Sequence, residues 1–344
     1  MNKLSLSSCT SCLLGGAIGD ALGAPIEFMS INQIRKVFGS QGITGYVEYA
    51  GDRGAFTDDT QMTLFTAEGL LRAYQRGTLR GIANISVVTC TYKAYLLWLR
   101  TQSESFRPDA DDGWLIQQKE LFNCRAPGNS CLSALTSGKM GTMKEPVNDS
   151  KGCGGIMRMA PVGLVFAGDP KRAFRLGCEL AAITHGHPSG YLSAGFFASL
   201  IALLVTGESL ENAIAQSIRS LEGYPEHKET LSAVNKALKF AQTAECTPEN
   251  IERLGGGWVG EEALAIALYC SLCFPNDFEK GVLASVNHSG DSDSTGSITG
   301  NIAGLMLSDK NIIPQRWIEN LLYKEIVLQI AEDLHTGITV SDLY

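Results

Sequence analysis

Apolar residues recur along this chain at helical rather than strand spacing. Leu64, Ala67, Leu71 and Tyr74 follow a 3-4-3 interval, and Ile318, Leu322, Ile326 and Ile330 form an i+4 row. Further helices are expected around 87–99, 172–183, 191–205 and 231–243, separated by loops rich in Gly, Pro, Asn and Asp. Sustained alternation of apolar and polar residues, the mark of half-buried strands, is missing. The pattern predicts an all-α chain. With no tandem repeat, low-complexity stretch or linker, residues 1–344 are expected to form a single compact helical domain. One long stretch, 100–155, has no clear period and is expected to be an irregular loop of the kind that tends to be functional.

Composition narrows the function classes. A net charge of −8 over 344 residues argues against nonspecific binding to nucleic acid or to anionic membranes, so small molecules or proteins are the expected partners. The most apolar run, 191–205, is too short for a membrane span and too long for a strand, which predicts a buried helix. The N-terminus lacks the pattern of a signal peptide, and a cytoplasmic location is expected. Among the ten cysteines, Cys9-x-x-Cys12 and Cys270-x-x-Cys273 superficially offer two halves of a zinc ribbon. The second pair lies in the wholly apolar run 263–273, where cysteine acts as a small hydrophobe, so free thiols are the expected state.

Two acidic clusters carry the chemistry: Thr57-Asp58-Asp59-Thr60 near the front and Gly290-Asp291-Ser292-Asp293-Ser294-Thr295 near the end. Each joins carboxylates to hydroxyls, the ligand set of hard divalent cations such as Mg²⁺ or Mn²⁺ rather than zinc. Each also precedes an apolar stretch, as a helix cap does, and both readings can hold at once. Two carboxylates about 4 Å apart repel by about 4 kcal/mol at an effective dielectric near 20, so clusters that meet require cations. Gly296, Gly300 and Gly304 recur every four residues after the second cluster, which predicts a helix packed backbone-close to a neighbour. Small residues at 16, 19, 20 and 23 likewise read as a close helix contact, since no G-x-G-x-x-G fingerprint is present. Glu27, just after Pro25, is on its own either a surface residue or a carboxylate turned into a cavity.

Taken together, these motifs resemble the ADP-ribosylglycohydrolase family along nearly the whole chain. The resemblance runs from Gly19-Asp20-Ala21-Leu22-Gly23 and Glu27-Phe28 through Thr57-Asp58-Asp59-Thr60-Gln61-Met62 and Arg125-Ala126-Pro127-Gly128. It continues with Ser150-Lys151-Gly152-Cys153-Gly154-Gly155-Ile156-Met157-Arg158 and Thr184-His185, and ends at Gly290-Asp291-Ser292-Asp293-Ser294. It implies a compact all-α fold with a binuclear Mg²⁺ or Mn²⁺ centre. Thr57, Asp58 and Asp59 match one ligand group, and Asp291, Asp293 and Ser294 the other, with Ser294 standing where the family usually has Thr. Glu27 matches an acidic residue beside the metals that serves as gate or acid/base, with Asp58 or Asp59 as the alternative base. The 150–155 segment matches a loop whose amides hold the diphosphate and distal ribose, which singles out Ser150, Gly152, Cys153 and Gly154. Gly128 belongs to another matching motif, and His185 matches a position near the adenosine half.

By this resemblance the chain is expected to be a metal-dependent hydrolase that releases ADP-ribose from a modified protein. The Gly152-Cys153-Gly154 form is closer to arginine-type than to serine-type members, which favours ADP-ribosylarginine. Hydrolysis of ADP-ribosylserine or of O-acetyl-ADP-ribose is the alternative within the same chemistry. From another class, an ADP-ribose-binding or toxin-neutralising immunity protein is the rival, with little catalysis.

Overall fold

The computed structural model describes residues 4–79, 86–107, 113–308 and 312–337. Among these, sixteen α-helices pack around one continuous apolar core, and the only paired strands are the two-residue arms of a hairpin, Glu48–Tyr49 and Asp52–Arg53. The helices expected from periodicity are present as Val87–Ser103, Pro170–Ala181, Pro188–Leu204 and Lys228–Thr243. Leu64, Ala67 and Leu71 are buried on the Asp58–Tyr74 helix, while Tyr74 at its end is exposed.

Two expectations are corrected. The row from Ile318 to Ile330 is not one helix but two, Gln315–Asn320 and Lys324–Thr336. Leu322 donates its N–H to Gly54 O at 2.9 Å and Tyr323 takes a left-handed φ of 59°, so a tertiary hydrogen bond interrupts the period. The 100–155 stretch is also not one irregular loop. The Val87–Ser103 helix runs into it, and it contains the 3₁₀ turns Leu115–Gln117 and Lys119–Leu121, the helix Asn129–Thr136 and the turn Cys153–Gly155. The Asn129–Thr136 helix is short and Ser-rich, and it is held by burial of Cys131, Ala134 and Leu135 rather than by propensity.

The contact that organises the molecule joins its two ends. The first helix, Leu6–Gly23, lies antiparallel against Ser292–Met306. A Cβ added at Gly15, Gly19 or Gly23 would fall within 3.0 Å of the backbone of Gly300, Gly296 or Ser292, and one at Gly304 would do the same against Ser11. Each helical glycine costs about 1 kcal/mol relative to alanine, a penalty offset here by backbone-to-backbone packing that no larger residue permits. Asn301 Nδ2 adds a buried hydrogen bond to Cys12 O at 2.8 Å. The segment Leu6–Ile26 is long and apolar enough to cross a membrane by length and composition alone. Yet 83% of its most apolar window is buried inside the protein, which accounts for its apolarity as core.

Candidate functional site

Both acidic clusters form the first turns of helices. Thr57 caps Asp58–Tyr74, with Asp58 and Asp59 in the opening turn. Asp291 caps Ser292–Met306 by accepting from Ser294 N–H at 3.2 Å, with Asp293 in its first turn. The capping reading therefore holds, and it holds at buried positions: all four aspartates are at most 4% exposed. The first helix unites the two turns, since its glycine face meets one and Asp20 holds the other.

In the sequence Asp20 stands in a run of small residues and in the Gly19–Gly23 motif of the family resemblance, with no role assigned to its carboxylate. In the structure it is completely buried and accepts four hydrogen bonds. They come from Thr57 N–H at 2.9 Å, Thr57 Oγ1 at 2.9 Å, Thr60 N–H at 3.0 Å and Thr60 Oγ1 at 2.5 Å. Thr57 Oγ1 also lies 3.3 Å from Asp293 Oδ2, so this hydroxyl reaches a carboxylate 236 positions further along the chain. Glu27 follows the 3₁₀ turn Ala24–Ile26 and points inward, at 7% exposure. Oxygens of Glu27, Asp291 and Asp293 lie within 4.8 Å of one another, the one group of three such ligands that close among the described residues.

Each remaining candidate has a definite partner. Gly128 donates its N–H to Asp58 Oδ2 at 3.1 Å and so orients that carboxylate. The Cys153 thiol donates to Asp291 Oδ2 at 2.7 Å, tying the glycine-rich loop to the second cluster, a link with no signal in the sequence. Ser294 gives its N–H to Asp291 and Asp293, while its hydroxyl sits 4.0 Å from Met157 Sδ. Ser150 Oγ meets Ser130 Oγ at 2.7 Å beside a groove lined by Asn129, Ser133 and Asn148. In the loop itself, Gly152 N–H is taken by Ser150 Oγ, Cys153 N–H by Trp258 O and Gly155 N–H by Gly152 O. With Ser150 N–H taken by Asn148 Oδ1, four of the amides in the 150–155 segment are thus engaged within the protein. A Cβ on Gly154 would come 3.2 Å from His185 Nε2, so the loop and that buried ring are in contact. His187, by contrast, caps the next helix through Nδ1, which accepts from Ser189 N–H. Arg158 is buried without a carboxylate partner among the described residues.

Six buried carboxylates, Asp20, Glu27, Asp58, Asp59, Asp291 and Asp293, therefore share one region, and no Lys or Arg ion pair reaches any of them among the described residues. The two helix N-termini favour them by about 0.3–1 kcal/mol each, well short of the repulsion between even one close pair. Glu27 Oε2 and Asp59 Oδ1 are buried with no hydrogen-bond partner. Hard oxygen donors, unpaired negative charge and orphaned acceptors suit a divalent cation such as Mg²⁺ or Mn²⁺.

The same charge perturbs protonation. Burial first, then repulsion from Asp293, pushes Asp20 up to about 7. Burial, with Asp293, Asp291, Asp58 and Asp20 adding to it, pushes Glu27 up to about 10. Burial also holds Asp58, Asp59 and Asp291 well above the usual carboxylate range and raises Asp293. In the unfolded chain such groups titrate near pH 4. From about pH 4 up to about 7 for Asp20, and up to about 10 for Glu27, the folded protein holds more protons than the unfolded one. Stability therefore falls as pH rises through that window. Calorimetry in EDTA should show a higher melting temperature at about pH 5.5 than at about pH 8, and Mg²⁺ or Mn²⁺ should remove most of the difference. The opposite slope in EDTA would contradict this account of the cluster.

A helical scaffold that brings two helix starts together around buried acids defines a class of protein, and comparison identifies it. The family description ADP-ribosylglycohydrolase matches residues 1–343. The chain belongs to the ADP-ribosylglycohydrolase family, whose members are hydrolases. It is 25% identical over 330 residues to the ADP-ribosylarginine hydrolase Tri1 of Serratia proteamaculans, covering 96% of this chain and 79% of that one. It is also 25% identical to the ADP-ribosyl-[dinitrogen reductase] glycohydrolase of Rhodospirillum rubrum, covering 90% and 88%. A solved structure described as an ADP-ribosylglycohydrolase-related protein complex has the same fold, with a TM-score of 0.68 at 22% identity over 98% of this chain and 99% of that one.

Proposed function

We propose that this protein is a divalent-metal-dependent hydrolase that removes ADP-ribose from modified arginine side chains. The single observation that carries the reading is the closure of the two acidic clusters on each other, with Thr57 Oγ1 between Asp20 and Asp293 and no Lys or Arg paired with the site among the described residues. A protein that only bound its ligand would gain nothing from six mutually repelling buried acids. In our reading Asp58, Asp59, Asp291 and Asp293, with the hydroxyls of Thr57 and Ser294, hold two Mg²⁺ or Mn²⁺ ions. Bound there, the cations would supply Lewis-acid stabilisation of the sugar and water oxygens.

The protein's own groups account for the rest. Gly128 N–H and the Cys153 thiol keep Asp58 and Asp291 in fixed orientations. Hydrolysis adds a water oxygen to C1″ of the ribose and breaks the bond from C1″ to the guanidine nitrogen, through a transition state of oxocarbenium character. The water gives up a proton to a carboxylate, and the guanidine leaves with a proton. We assign this transfer to Glu27, whose carboxyl burial keeps protonated: it gives its proton to the departing guanidine and, as the carboxylate so formed, takes one from the water. Glu27 belongs to the compact triad, has an unsatisfied Oε2 and precedes exposed Phe28 in the chain.

The arginine linkage is supported by the two relatives named for arginine and dinitrogen reductase substrates and by the rim of the site. Phe28, 74% exposed, stacks on Trp258, 43% exposed, with ring centroids 5.5 Å apart. Phe28 adjoins Glu27, and Trp258 follows Gly257, where an added Cβ would lie 3.3 Å from Asp291 Cβ. Exposed aromatic faces beside buried negative charge suit a planar cation, the guanidinium. Purified protein should release ADP-ribose from an arginine-linked peptide, should not do so in EDTA, and should act far more slowly on serine-linked peptide or O-acetyl-ADP-ribose. Trp258→Ala should slow the arginine-linked reaction about tenfold, a loss of ~1.4 kcal/mol. Preference for the serine-linked substrate would replace the linkage assigned here.

A further inference from the structure

Arg158 is fully buried, and the groups around it are neutral. Its Nη2 donates to Thr184 Oγ1 at 2.7 Å, its Nη1 lies 3.3 Å from Met62 Sδ and 3.4 Å from Cys131 Sγ, and its guanidinium carbon stands 4.3 Å from the centre of the Tyr95 ring. A guanidinium does not deprotonate and can only donate. Thr184 Oγ1 therefore accepts from Arg158, and its one hydrogen is free to be given to His185 Nδ1, 2.8 Å away. A neutral imidazole whose Nδ1 accepts carries its proton on Nε2. Burial, with the Arg158 charge adding to it, keeps the ring neutral by pulling His185 down to about 3.

Nε2–H has no protein acceptor among the described residues, and it faces the glycine-rich loop. A Cβ on Gly152 or Gly154 would stand 3.4 or 3.2 Å from Nε2, so glycine at both positions leaves space in front of this donor. The amides of Gly152 and Cys153 are already bonded within the protein, so an anion at the loop draws on other donors, and the ring faces the same space.

We propose that Arg158 and Thr184 are positioning residues that lock His185 in its Nε2–H form, as a fixed donor to an anionic oxygen of the ligand at the 150–154 loop. That this oxygen belongs to the diphosphate of ADP-ribose rests on the hydrolase reading above; the relay itself does not. The buried Arg158 charge behind the ring favours the same anion through space.

The test is ring ¹⁵N NMR of histidine-labelled protein at neutral pH, together with calorimetric titration of ADP-ribose and of inorganic pyrophosphate. His185 should show a protonated Nε2 and an unprotonated Nδ1. Thr184→Val should lose the single tautomer and weaken ADP-ribose binding about tenfold, and Thr184→Ser should restore both. An Nδ1–H tautomer in the unsubstituted protein would overturn the proposal, whether or not the valine variant folds. So would a folded valine variant with undiminished affinity. Failure of the hydrolase reading has a different signature: no turnover of ADP-ribosyl peptides, with the tautomer and pyrophosphate binding intact.

Discussion

Asp293→Ala is expected to lower the rate of ADP-ribose release by at least about 10³-fold, a loss of ~4 kcal/mol of transition-state stabilisation. Asp293 is where the two halves of the site touch. It accepts from Ser294 N–H, lies beside Thr57 Oγ1, and shares the compact triad with Glu27 and Asp291. Removing it breaks the link between the helix starts and takes away a donor that no neighbour can replace. It also removes a repelling charge, so the cation-free variant should melt no lower than the parent while binding Mn²⁺ far more weakly. Stability and activity thus move apart, and a stopped assay with a melting curve reads both. Retained turnover in the folded variant would refute the role assigned to Asp293.

Gly300→Ala is the second large effect, and here stability carries the loss. The added methyl would meet the backbone of Gly15 closer than the 3.0 Å that Cβ atoms keep, and no side-chain rotation relieves a clash with a carbonyl oxygen. Overpacking of a tight contact costs about 1–3 kcal/mol, and a backbone clash belongs at or above the upper end. The helices must separate, which also moves Asp291 and Asp293 away from Asp20 and Thr57. Lower melting temperature and weaker Mn²⁺ binding should therefore occur together. Gly45→Ala is the control, because nothing lies within 4 Å of its added Cβ and its φ is not positive. If both variants melt with the parent, the glycine contact is not what holds the two ends together.

Much of this arrangement could be read before any coordinates. The acid and hydroxyl clusters at 57–60 and 290–295 predict that the two ends of the chain meet, because their chemistry matches, and the glycines at 296, 300 and 304 predict a backbone-close helix pair by their spacing. What escaped depends on partners remote in sequence. Asp20 sits among glycines and looks like packing, yet its hydrogen bonds go to residues 37 and 40 positions away. The thiol of Cys153 turns to Asp291, 138 positions on, and nothing in the loop itself directs it there. The break at Tyr323 is invisible to periodicity because its cause is the carbonyl of Gly54. Helical spacing is set by neighbours in the chain, whereas the orientation of a buried polar group is set by whichever donor the fold brings to it.

The central claim is that aspartates from opposite ends of the chain hold divalent cations at one centre. Anomalous diffraction from crystals soaked in Mn²⁺ tests it most directly. The account predicts manganese peaks about 2 Å from carboxylate oxygens of both the 57–59 and the 291–293 turns. Manganese bound by one turn alone, or found only elsewhere on the molecule, would contradict it.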